Sequence, residues 1–276
     1  MLLNFYKSKF KICLALLLLL CISGILLYSK SFRNIFYLNS LNTSIDYPYI
    51  ALIVDDRANI SVVNAVLNVF QHVPNDWKVQ MVIPNKYWPY YMNSSLAFYI
   101  KSNRILFTSL NDSSNGRSSR NYINPILTSI EFWRQVKGKR VLFFQSDSVL
   151  CSNASSNLTD FLEYDFIGAP WRVGGCCNGG LSIRNRNKII ELLERKRFIW
   201  KPNQINEDGW FTKHLPSVNG RVAPRSVARR FSVETIYYPS PFAIHKLRTN
   251  AFGEENLRKL CKQCPELSLL RSDCRL

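Results

Sequence analysis

The sequence predicts an α/β fold behind an apolar amino-terminal segment, and three observations carry that expectation. Residues 141–144 (VLFF) form a short unbroken apolar run, the pattern of a strand buried on both faces of a sheet, and residues 49–54 (YIALIV) form a second. Residues 61–73 repeat apolar side chains at helical spacing (Val62, Val63, Val66, Leu67, Phe70), and residues 78–84 read as another strand, so the chain opens as strand, helix, strand. That order is the start of a parallel sheet with right-handed crossovers. Third, both apolar strands end in charge: Asp55-Asp56-Arg57 follows one, Gln145-Ser146-Asp147 the other. A carboxylate at the carboxyl end of a buried strand lies in the crevice where open α/β sheets bind ligands. Capping of the next turn is the competing reading for Asp147.

A chain of 276 residues with 47% hydrophobic content can hold one α/β domain with a proper core plus short appendages. Residues 12–28 (ICLALLLLLCISGILLY) carry no charge and lie between Lys7, Lys9 and Lys11 on one side and Lys30 and Arg33 on the other. That length reaches the short end of a membrane span, and no clear small-residue cleavage site follows, so an uncleaved signal anchor is expected. The slight lysine excess before it places residues 1–11 as a cytoplasmic tail. Residues 29–47 then read as a polar stem, 48–250 as the α/β domain and 251–276 as a Cys-containing tail.

Six Asn-x-Ser/Thr sequons, at Asn42, Asn59, Asn93, Asn111, Asn153 and Asn157, all follow the span and point to a lumenal domain. The expected location is the Golgi or endoplasmic reticulum membrane, single-pass type II. Past the anchor stand Cys151, Cys176, Cys177, Cys261, Cys264 and Cys274, an even set for which disulfides are expected, with fifteen possible pairings. Cys261-x-x-Cys264 lacks a second CxxC or a βαβ context, which argues against a zinc or redox site. The net charge of +17 attracts anions. A lumenal domain meets nucleotide-sugar diphosphates, sulfated glycans and anionic lipid rather than nucleic acid. The cluster from Arg184 to Lys201 reads as a solvated helix face more readily than the one from Arg221 to Arg230.

Further along, residues 105–107 read as a short strand, and Asn124-Pro125 as the opening of a helix through about Val136, with Ile126, Ile130 and Trp133 on one face. Residues 158–164 read as a short helix. Gly174-Gly175-Cys176-Cys177-Asn178-Gly179-Gly180 holds four glycines in seven residues, which demands close backbone approach or positive φ. It matches neither a P-loop nor GxGxxG, and reads as a loop laid against a bound ligand or as a tight turn stapled by disulfides. Residues 187–197 form the next expected helix. Glu207-Asp208 before Trp210-Phe211 pairs carboxylates with an aromatic wall, a possible acid/base site since apolar surroundings raise a carboxyl pKa. The same two residues would also suit a helix N-terminus. His245, in PFAIHK, is one of three histidines.

The ordered series FFQSDS, DFIGAPW, NGGLSIR, NEDGWF and PFAIHK resembles an uncharacterised glycosyltransferase-like domain family, over roughly residues 49–246. The resemblance implies a GT-A-like fold, a mixed, mainly parallel sheet flanked by helices, and transfer of a sugar from a nucleotide-sugar donor to a glycan, protein or lipid acceptor. It also implies roles. Asp147 matches the second Asp of the family's metal-binding Asp-x-Asp, and Gln145 stands in place of the first. Asp55 and Arg57 match the nucleotide-contacting region, Gly179 and Gly180 the Gly-rich segment lining the acceptor side, Glu207 or Asp208 the catalytic carboxylate, and His245 a late metal ligand. The implied cofactor is Mn²⁺ or Mg²⁺, but a neutral Gln145 offers a hard cation one charge fewer, and Arg side chains could neutralise the leaving diphosphate in its place. Of the two carboxylates, Asp208 is the expected base, because it lies nearer the aromatics. A non-catalytic lectin-like or scaffold domain is the alternative on the same fold.

Overall fold

The computed structural model describes residues 46–110, 119–199, 201, 204–247 and 252–274; the expected anchor and nearly all of the stem lie outside these. β1 (Tyr47–Val54), α1 (Ile60–His72) and β2 (Lys78–Ile83) form the expected opening unit. Two short helices, α2 (Trp88–Met92) and α3 (Ala97–Lys101), lead to β3 (Ile105–Ser109). Then come α4 (Ser119–Leu127), α5 (Ile130–Gln135), β4 (Gly138–Phe144), β5 (Ser148–Leu150) and β6 (Phe166–Gly168). β7 (Leu181–Asn185), α6 (Arg186–Arg195), α7 (Glu207–His214) and α8 (Arg225–Phe231) precede β8 (Ser232–Val233), β9 (Ala243–His245) and α9 (Glu254–Gln263).

Six strands make one mixed sheet in the order β3-β2-β1-β4-β7-β6. β1, β2, β3 and β4 pair in parallel, while β7 runs antiparallel to both β4 and β6. The apolar runs of β1 and β4 are central for the reason their sequences gave: Ile50 to Ile53 and Val141 to Phe144 are all at 0% exposure, so no face is left for polar alternation. α1 buries Val62, Val63, Val66, Val69 and Phe70. It also buries Asn68, whose side chain donates to Leu150 O (3.1 Å) and accepts from Leu150 N (2.8 Å). One polar residue on an apolar helix face thus clamps β5, and with it the segment that carries Asp147.

A second, three-stranded sheet, β5-β9-β8, was not expected from the sequence, because strands of two and three residues are too short to show periodicity. Its own core joins Val149, Val233 and Ile244 to Leu260 and Leu267. Residues 252–274, read from sequence as a tail, fold onto it as α9 and short 3₁₀ turns. The six cysteines pair as Cys151–Cys264, Cys176–Cys177 and Cys261–Cys274. Cys261 and Cys264 therefore bond to different partners, which leaves no CxxC redox pair.

Two expected helices differ. The segment around residues 124–136 is two helices rather than one, because Ser129 is extended and caps α5 by accepting from Phe132 N (3.2 Å). α4 starts at Ser119, five residues before the expected Asn124, and carries Pro125 inside it. Residues 158–164 form only a 3₁₀ turn, Leu158–Phe161.

Candidate functional site

Two clefts of about 650 Å³ and about 770 Å³ lie side by side at the carboxyl ends of β1 and β4, and share Ile123, Gln145 and Lys246 as their common wall. The first is lined by Gly179, Gly180, Glu207, Asp208 and His245, the second by Asp55, Arg57 and Asp147. The residues that the resemblance implies for the site thus lie on one cleft or the other.

In the first cleft α7 begins at the two carboxylates, and the helix turns them apart. Glu207 points inward, accepting two bonds from Arg184 Nη1 and Nη2 (3.1 and 3.0 Å). Arg184 is wholly buried, its guanidinium packed among Trp133, Phe143, Phe166 and Phe211, and it also donates to Ser182 Oγ and Gly179 O. Arg184 is therefore a core cation with a buried counterion, not part of a solvated face as its sequence cluster implied. Asp208 turns to the cleft, where its carboxylate accepts from Gly179 N (3.0 Å) and Gly209 N (2.7 Å).

Burial, the largest influence on both acids, pushes Glu207 up to about 7 against the pull of Arg184. It also raises Asp208 above the ordinary aspartate value, although the two backbone N–H groups favour its charged form. Both glycines of the segment are required by close approach. A Cβ on Gly179 would fall 2.5 Å from Glu207 Oε1 and 2.8 Å from Arg184 Nη2, and one on Gly180 would overlap the His245 ring.

The junction of the clefts follows from strand register. β5 and β9 pair antiparallel with Ser148 opposite His245, and Lys246 N donates to Asp147 O (2.9 Å), so residues a hundred apart in sequence become neighbours. His245 Nε2 lies 3.2 Å from Gln145 Oε1 and 3.5 Å from Asp147 Oδ1. Burial of Asp147 is outweighed by the hydrogen bond and charge of His245 and the charge of Lys246, which together hold its carboxyl below the usual value. Lys246 itself adopts φ +43, a left-handed conformation that a residue with a side chain takes only where its surroundings impose it.

The implied divalent cation can be tested against these separations. Donors on adjacent positions of one hard ion, each at about 2.1 Å, stand roughly 3 Å apart. His245 Nε2 stands close to that spacing from Gln145 Oε1 (3.2 Å) and somewhat beyond it from Asp147 Oδ1 (3.5 Å), and an imidazole, a carboxylate and an amide oxygen are donor types that suit Mn²⁺ or Mg²⁺. The set has one charged ligand: no three His, Cys, Asp or Glu side chains among the described residues converge on a common point.

Beyond the second cleft's shared wall, Asp55 is buried and holds Arg57 by bonds from its backbone N (3.0 Å), Nε (3.0 Å) and Nη2 (2.8 Å), which leaves the guanidinium 59% exposed toward the opening. Sequence reasoning missed Asn124, Trp171, Glu234 and Lys246 on the first cleft. Asn124 Oδ1 accepts from Glu207 N (2.7 Å) and so fixes the start of α7. Its signal was the Asn-Pro step, read only as a helix opening, while Lys246 stood beside the chosen His245.

A comparison with curated proteins finds no match. Among solved structures, the galactosyltransferase LgtC in complex with donor and acceptor sugar analogs aligns at 12% identity and TM-score 0.47, over 78% of this chain and 96% of that one. The apo-form glycosyltransferase GlyE of Streptococcus pneumoniae TIGR4 aligns at 12% identity and TM-score 0.42, over 75% of this chain. This chain spans 56% of GlyE, little more than half its length. The mannosyltransferase PcManGT of Pyrobaculum calidifontis, in complex with GDP-Man and Mn²⁺, aligns at 13% identity and TM-score 0.41, over 64% of this chain and 54% of that one. A family model described as "Protein of unknown function (DUF5672)" matches residues 105–245, which run from β3 to β9 and include Gln145, Asp147, Glu207, Asp208 and His245. That match covers half of the chain, and the chain belongs to the DUF5672 family.

Proposed function

We propose that the chain is a membrane-anchored, lumenal glycosyltransferase that moves a sugar from a nucleotide-sugar donor to a hydroxyl of a glycan, protein or lipid. The observation that carries this reading is the pair of clefts meeting at Gln145 and Lys246, one holding a carboxylate raised by burial and the other opening onto cations. The second cleft takes the nucleoside diphosphate, with Arg57 and Lys246 beside its phosphates. The first takes the acceptor.

Asp208 accepts the proton of the acceptor hydroxyl as that oxygen bonds to the anomeric carbon. The bond from that carbon to the diphosphate oxygen breaks, and its electron pair leaves with the diphosphate, whose charge Lys246 offsets. Glu207, tied to Arg184, fixes the position of α7 and of Gly179 rather than moving a proton. A divalent cation, when bound by Asp147, His245 and Gln145, would supply further charge for the leaving diphosphate.

Type II topology is part of the proposal. The sequons at Asn93, Asn153 and Asn157 are on exposed residues, which suits glycan attachment. Endoglycosidase treatment should lower the apparent mass of the membrane-bound protein. For the activity, the purified chain is incubated with a panel of nucleotide sugars and free nucleoside diphosphate is measured. Release that depends on Asp208 supports the reading; no release with any donor, alongside binding of glycans, would favour the lectin-like alternative, toward which the neutral Gln145 leans.

A further inference from the structure

The second cleft is not closed by the parts of the chain that the family match covers. Its outer wall is Leu269, Leu270 and Arg271, beyond the matched residues 105–245. Leu269 ends the 3₁₀ turn at Pro265–Leu269, Leu270 and Arg271 follow it, and the three line the same cleft as Val54 and Asp55 at the end of β1. Leu269 is 47% exposed and, with the partly buried Leu270, presents apolar side chains in the lining of a cleft otherwise rich in polar groups.

The segment is also held in place from several sides. Cys264, just before the turn, bonds to Cys151, which directly follows β5, and Cys274 bonds back to Cys261 in α9. Glu266 accepts from Ser152 N (3.2 Å) and lies 3.4 Å from His72 Nε2, at the end of α1. Arg271 is turned by Asp273, which accepts from its Nε (2.9 Å). The leucines are therefore presented on a frame tied to the two elements, α1 and β5, that follow Asp55 and Asp147 in the chain.

We propose that this disulfide-held carboxyl-terminal cap forms the base-binding wall of the donor site, with Leu269 and Leu270 packing on the nucleoside of a nucleoside diphosphate whose phosphates lie toward Lys246 and Asp147. The inference rests on the donor-site reading above and deepens it. It assigns the apolar wall for the nucleoside to residues that lie beyond the family match. A nucleobase is flat, weakly polar on its faces and hydrogen-bonding at its edges. The cleft offers it the two leucines and Tyr122 as faces, with Asp56, Asn59 and Ser61 as polar groups around its rim.

The test measures binding of UDP, GDP, ADP and inorganic pyrophosphate, each with MnCl₂, to the purified full-length protein by calorimetry. Leu269→Ser, at an exposed position, should weaken the tightest-bound nucleoside diphosphate about fivefold, and the Leu269→Ser/Leu270→Ser pair more, with pyrophosphate binding unchanged. Cys261→Ala/Cys274→Ala should move nucleoside diphosphate affinity in the same direction. If the leucine variants bind nucleoside diphosphate like the wild type while Asp147→Asn does not, the cap plays no part and the donor-site reading stands. Equal losses for nucleoside diphosphate and pyrophosphate would make the effect structural and overturn the wall. If the wild type binds none of the three nucleotides, the donor-site reading fails and this inference with it.

Discussion

The two clefts contain the same chemical group in opposite states. Asp208, on the first, is raised by burial among glycine backbone and apolar walls. Asp147, on the second, is lowered because His245 and Lys246 more than offset its burial. One aspartate is set to take a proton, the other to stay charged beside a cation. What separates them is depth together with neighbouring charge: Asp208 is the more deeply buried and Arg184, the guanidinium near it, is bonded to Glu207, while Asp147 is 46% exposed and has His245 and Lys246 beside it.

The sharpest way to break this comparison is to remove the base. Asp208→Asn should lower transfer by about a thousandfold, the scale of a positioned general base, with nucleoside diphosphate affinity within a fewfold of wild type. Equal losses of turnover and affinity would place Asp208 in donor binding or in the fold. Next in size is Asp147→Asn, which should cost turnover on the order of a hundredfold and weaken nucleoside diphosphate binding as well, since it removes the charge from the donor side. Circular dichroism should be unchanged in both variants, and wild-type turnover in Asp147→Asn would leave that residue as a turn cap.

Glu207→Gln should act on the fold instead. The amide keeps one acceptor for Arg184 but turns an NH₂ group toward a guanidinium, so one of the two bonds is lost in a buried site and stability should fall by about 2 kcal/mol. Activity per folded molecule should change least of the three, as read by denaturant titration beside an active-site-normalised rate. A Glu207→Gln enzyme as stable as wild type but inactive would exchange the roles of the two neighbours.

Most of the sheet could be read in the sequence because its strands are buried on both faces and so appear as unbroken apolar runs, as in 49–54 and 141–144. The carboxylates at their ends were legible for the same reason. What could not be read is whatever depends on register between distant strands. The pairing of Ser148 with His245 makes a site out of Gln145, Asp147 and Lys246, and no local pattern encodes it. Arg184 looked like one more surface cation because its aromatic cage comes from β4, β6, α5 and α7. The division of labour between Glu207 and Asp208 needed the helix direction, since adjacent residues on a helix point about 100° apart.

The smallest expected effect, and the one that compares the clefts most directly, is the pH profile. With Asp208 raised above 3.8, turnover should begin to fall on acidification while Asp147, held below 3.8, is still charged; below the Asp208 pKa the rate should fall about tenfold per pH unit. Nucleoside diphosphate affinity should persist across the same range. Unfolding does not confuse the measurement between pH 7 and 4.5. Glu207 is raised in the folded state, from 4.5 to about 7, so the folded protein holds a proton that the unfolded chain has released; its contribution to stability is full below 4.5 and is lost as pH rises through about 7. Acidification within that window therefore strengthens this part of the fold, and the slope should vanish in Glu207→Gln. The lowered carboxylates Asp165 and Asp46 contribute stability that is lost only as pH falls below 3.8, outside the window. Turnover and nucleotide affinity that decline together at one pH would mean that the two aspartates titrate as one group, and the clefts would then not be separate in charge.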